Sequence, residues 1–143
     1  MYGLNAVALV FFGCINVAAY QLCKCPEGRR RTVVRWLCAV LLSGNLLRYG
    51  VIYPFVKGVV MLPVEFSTVA YFLVPAILLT SKRRLRSGAA YSGLMAGFFY
   101  YLAMIASGGV IYGAYAPLDI YISMFCHGSI YFCGFVTIGT ELC

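Results

Sequence analysis

Of the residues whose types could do bond-making chemistry, Ser67 and His127 read as a pair, the second being the chain's one histidine. A serine hydroxyl is a weak nucleophile until a base takes its proton, and imidazole titrates in the range where that is useful. Read as a pair, they point to attack by Ser67 on an ester or thioester carbonyl of a lipid. His127 would be the base, with Glu65 or Asp119 orienting its ring. The catalytic candidates are therefore Ser67, His127 and Glu65. A structural reading stands beside this one: serine is well accepted in membrane helices, and a single histidine hydrogen-bonds across a helix interface. Residue types alone leave both standing.

The elements that must position these groups follow from composition. Of 143 residues 63% are hydrophobic and 10% are charged, where a soluble domain carries about 25% charged residues. Such a chain cannot cover itself with a water-facing surface. Apolar runs at about 3–22, 33–53, 58–80, 88–110 and 118–139 each approach the ~20 residues that cross a bilayer as a helix. The fold class expected is all-α, a polytopic transmembrane helical bundle of about five spans, forming one domain over 1–143.

Charge orients it. Lys24, Arg29, Arg30, Arg31 and Arg35 fall between the first two runs, and Lys82, Arg83, Arg84 and Arg86 between the third and fourth; only Arg48 and Lys57 remain of the basic residues. Positive connections stay on the cytoplasmic side, so the N-terminus is expected outside and the C-terminus inside, in the plasma membrane if the source is a prokaryote. A signal peptide would carry its positive charge ahead of the first run rather than after it. The net charge of +7 is thereby assigned to loops that meet anionic lipid, and no nucleic-acid partner is expected.

With this topology the third and fifth spans run in the same direction, and at ~1.5 Å per residue Ser67 and His127 lie about 14 and 15 Å deep. Their side chains can meet. Glu65 and Arg48 fall at shallower, similar levels, where an ion pair would offset the cost of either charge alone. Asp119 suits the first turn of the fifth span, at the positive end of the helix dipole. Asn5 and Asn16 in the first span are expected to bond to a neighbouring helix. Pro54 and Lys57 mark a short outer turn, and Pro63 and Pro75 are expected to kink the third span. Gly93 and Gly97 make a G-x-x-x-G face for close helix approach.

Seven cysteines, an odd number, indicate no disulfide framework. Cys23 and Cys25, beside the membrane, read as acylation sites or as plain thiols. Cys126 points about 100° away from His127 around the helix, and Cys133 shares the face of Cys126. One histidine and scattered thiols offer no metal-ligand spacing, and no Gly-rich loop serves a nucleotide, so neither metal nor cofactor is expected.

The runs LPVEFSTVAYFLVPAILLTSKRRL (62–85) and FCHGSIYFCG (125–134) resemble the central motif and the histidine-containing helix of the YwaF and TMEM164-like family of multi-span membrane proteins. The likeness extends over about Val33 to Glu141. It implies, from the family's animal branch, an acyltransferase that moves a fatty acyl chain between phospholipids through a cysteine thioester assisted by histidine. On that resemblance His127 takes the histidine's place and Ser67 falls where the nucleophilic cysteine is expected. Serine there implies an oxygen ester or an inactive site. The family has more spans than the five read here, so the chain is expected to be a shortened relative, a fragment, or half of an oligomer. The function expected is that of an integral membrane protein of lipid acyltransferase or hydrolase type; the alternatives are a non-enzymatic membrane subunit or scaffold, and a component of a small-molecule transporter. The partners expected are membrane lipids and either a second copy or another membrane protein.

Overall fold

The computed structural model describes residues 3–58, 66–107 and 117–141, with backbone alone at 66, 67, 117, 140 and 141. The order is α1 (Gly3–Cys23), α2 (Glu27–Leu47) continued by a π-helix (Arg48–Val56), α3 (Phe66–Leu78), α4 (Arg83–Ser107) and α5 (Pro117–Glu141). No strand occurs among the described residues. Gly3–Cys23, Glu27–Val56, Arg83–Ser107 and Leu118–Gly139 are long and apolar enough to cross a bilayer, and α3 contributes a shorter apolar stretch, Thr68–Leu78. The chain is an all-α, polytopic membrane protein.

The bundle is arranged around α5, whose apolar window is 61% buried against 11% for α1. In water the exposed Leu9, Val10 and Val17 of α1 would be a liability; facing lipid they need no partner. The closest packing joins α4 and α5. A Cβ added at Gly93 would stand 2.8 Å from the Ile130 carbonyl oxygen, one at Gly97 would meet Tyr131 Cβ and the His127 carbonyl, and one at Gly134 would meet the Ala90 carbonyl. The G-x-x-x-G face is thus spent inside the protomer, where it lets two antiparallel backbones approach. On the other side of α5, Cys38 Sγ donates to Cys133 Sγ at 3.8 Å and Asn45 Nδ2 to Cys126 Sγ at 3.8 Å. Each pair of positions is seven residues apart, stepping in opposite directions, so α2 and α5 are antiparallel in register.

The asparagines of α1 reach across helix interfaces: Asn16 Oδ1 accepts from Tyr131 Oη at 2.7 Å, and Asn5 Nδ2 approaches the Ile105 carbonyl at 3.5 Å. Pro26 stands at the start of α2 with φ −54°, and Glu27 in the first turn pairs with Arg31 at 2.5 Å. Arg30 Nη1 reaches back to the Cys23 carbonyl at 3.1 Å, satisfying an acceptor at the end of α1.

One expected boundary is corrected. Pro54 does not begin a turn; it lies within the π-helix, which continues the second span to Val56. Proline clashes with the carbonyl four residues back in an α-helix, and the wider winding moves that carbonyl aside. The turn comes at Gly58, whose φ of 65° favours glycine. Pro63 lies outside the described residues. Pro75 is fully buried within α3, and having no N–H it leaves the Tyr71 carbonyl without its usual helical donor.

Candidate functional site

His127 sits where α3, α4 and α5 meet, and is 4% exposed. Its Nδ1 lies 2.6 Å from Tyr71 Oη on α3 and 3.0 Å from the Ser123 carbonyl one turn earlier on α5. The Tyr100 ring of α4 stacks on the imidazole at 3.7 Å between centroids, 10° from parallel, while Tyr71 meets it edge-on. Tyr71 Oη also approaches Ser123 Oγ at 3.2 Å. Both neutral tautomers fit. With its proton on Nδ1 the ring donates to the Ser123 carbonyl and Tyr71 turns to Ser123 Oγ; with the proton on Nε2, Nδ1 accepts from Tyr71.

The arrangement brings the third and fifth spans together at His127, with Tyr71 as the residue that makes contact. Position 67 is in the first turn of α3, one turn ahead of Tyr71; the Ser67 side chain and the whole of Glu65 lie outside the described residues. Asp119 is engaged elsewhere. Its Oδ1 is 2.8 Å from Arg48 Nη2 and its Oδ2 is 3.7 Å from Lys57 Nζ, about two turns from His127 along α5.

Arg48 is therefore paired across the α2–α5 interface at the end of the bundle opposite the basic loops. Its Nη2 and Nε also donate to Tyr53 Oη at 2.6 and 3.0 Å. A residue five positions on is brought beneath Arg48 by the π winding, which an α-helix would have turned away. Tyr53 receives Lys57 over its ring as well, at 5.0 Å. This cluster satisfies a cation inside a span without exposing it to lipid.

No family model, characterised protein or solved structure matches the chain. Among the described residues no group of three His, Cys, Asp or Glu side chains is placed to hold a metal ion. Cys126 and Cys133 face α2, away from the histidine cluster.

Sequence reasoning missed Tyr71, Tyr100 and Ser123. A signal for Ser123 was present, since a residue four before a histidine on a helix shares its face. Tyr71 stands in the same relation to Ser67. Nothing singled out Tyr100.

Proposed function

We propose that this protein is a multi-pass membrane subunit in which His127 acts as an internal polar lock on three helices. The carrying observation is the closure around the imidazole: one nitrogen bonded, one face covered by Tyr100, and 4% of the residue exposed. A general base needs a lone pair aimed at a substrate proton, and here Nδ1 is aimed at Tyr71 and the Ser123 carbonyl while Nε2 lies 3.4 Å from Tyr71 Oη, all within the same chain. The proposed orientation has the N-terminus outside and the arginine-rich end in the cytoplasm, with lipid or another membrane protein against the apolar faces of α1 and α2. In a prokaryote this would be the plasma membrane.

A second reading, lipid acyl transfer, is favoured by one observation. Position 67 precedes by one turn the tyrosine whose hydroxyl touches His127, so Tyr71 would relay a proton between the two. This is also the activity that resemblance to the YwaF and TMEM164-like family implies.

One experiment separates the readings. The purified protein is incubated with phospholipids carrying distinguishable acyl chains, alongside Ser67→Ala and His127→Gln, and thermal unfolding is followed in the same samples. The subunit reading expects no exchange, with His127→Gln markedly less stable. Exchange by the unmodified chain that disappears in Ser67→Ala would replace it with the enzymatic reading.

A further inference from the structure

At the end of the bundle holding both arginine-rich connections, four helices frame a cleft that opens to the surface. Arg30, Arg31 and Arg35 reach it from α2 and Arg86 from α4. Two blocks of charge about fifty residues apart in sequence thus share one concave surface. Repulsion would drive them apart unless something offsets it. Arg31 is answered by Glu27. No carboxylate among the described residues lines the cleft.

The donors are also unmet. Arg30 Nε and Arg86 Nε are both buried without a hydrogen-bond partner, although their side chains are only half-buried overall. A guanidinium N–H removed from water and left unpaired is costly, so a cleft built this way is complementary to an acceptor it does not itself contain. The donors belong to different helices and converge from two sides. That suits a tetrahedral group with several anionic oxygens, since guanidinium forks match phosphate oxygens in geometry and charge. The floor is apolar, formed by the buried Val34, Leu78 and Val136. Charge therefore gathers at the mouth, at the level where a helical bundle leaves the bilayer.

We propose that this cleft binds a phosphate-bearing anion, held by the guanidinium groups of Arg30 and Arg86, with Arg35 adding to the positive field. The phosphate is that of an anionic lipid headgroup or of a small soluble phosphate. The assignment does not depend on the role of His127.

The full chain is reconstituted in phosphatidylcholine nanodiscs and titrated in two arms, with phosphatidic acid in the disc and with inorganic phosphate in the buffer. Bound ligand is read by native mass spectrometry and by the thermal unfolding midpoint. Saturable binding is expected in at least one arm. Saturation by phosphatidic acid alone assigns a lipid headgroup; saturation by inorganic phosphate, with or without the lipid, assigns the phosphate group itself. Arg30→Gln with Arg86→Gln should weaken binding about tenfold or more, because charge-assisted bonds are lost. Arg29→Gln with Arg84→Gln, the same change of charge at exposed positions away from the cleft, should alter it by no more than about twofold. Arg30→Lys with Arg86→Lys keeps the charge but loses the planar fork, and an intermediate loss is expected. No saturation in either arm, or equal losses in the two glutamine pairs, would overturn the proposal. If the first glutamine pair fails to fold, unchanged affinity in the lysine pair overturns it instead.

Discussion

At His127 the decisive contact is the 2.6 Å approach of Tyr71 Oη to Nδ1. Tyr71→Phe removes that hydroxyl and leaves the Ser123 carbonyl as the ring's partner, so we expect a loss of about 1–2 kcal/mol in reversible unfolding in detergent. His127→Ala also removes the ring against Tyr100 and takes from Tyr71 the shorter of its two hydrogen bonds. A larger loss, about 2–4 kcal/mol, follows from the cavity, although Tyr71 Oη keeps Ser123 Oγ at 3.2 Å. At the other end of α5 the same measurement ranks two cations. Asp119→Asn weakens the 2.8 Å pair with the mostly buried Arg48 and should cost about 1–2 kcal/mol, whereas Lys57→Met, at 3.7 Å and half-exposed, should cost under about 0.5 kcal/mol. The histidine was legible because it has no duplicate. Its tyrosine partners were not, since twelve tyrosines give no compositional mark to the two that touch it.

At the scale of elements, the outer limits of apolar runs translated closely into helices: 3–22 became Gly3–Cys23, and 118–139 coincides with the apolar stretch Leu118–Gly139. Two starts moved for one reason. α2 starts at Glu27 and α4 at Arg83, inside the charged blocks, because arginine and glutamate are good helix formers and long basic side chains extend to the interface. Hydropathy marks where lipid begins, whereas hydrogen bonding marks where the helix begins. The π-helix was hidden because Pro54 in sequence signals a turn, and only the partnership of Arg48 with Tyr53 shows what the wider winding accomplishes. The glycine face was legible as a pattern and acquired a partner only in three dimensions. Gly97→Ala would drive a methyl group against Tyr131 Cβ and the His127 carbonyl, and a loss of about 1–3 kcal/mol is expected. Gly13→Ala, with nothing within 4 Å, should be neutral or slightly stabilising. Equal effects in thermal unfolding would mean that α4 and α5 are not in close contact.

At the scale of the whole molecule, the convergence of Arg30, Arg31 and Arg35 with Arg86 places both basic connections at one end of the bundle, and the pairing of Arg48 and Lys57 with Asp119 occupies the other. This asymmetry is what a membrane potential and an anionic inner leaflet act upon. In the proposed orientation, Arg30, Arg35 and Arg86 would be stabilised by cytoplasmic lipid, while cations already neutralised by a carboxylate would face outward at little cost. The prediction is a labelling pattern. In a cysteine-free background, Arg29→Cys and Arg84→Cys should react with a membrane-impermeant maleimide only after the cells are opened, and Lys57→Cys should react in intact cells. Labelling of position 84 from outside would invert the bundle and place the arginine cleft on the extracellular face. Labelling of 29 and 84 from opposite sides would be incompatible with a single cleft lined by both Arg30 and Arg86, since one bilayer would then separate the connections to which they belong.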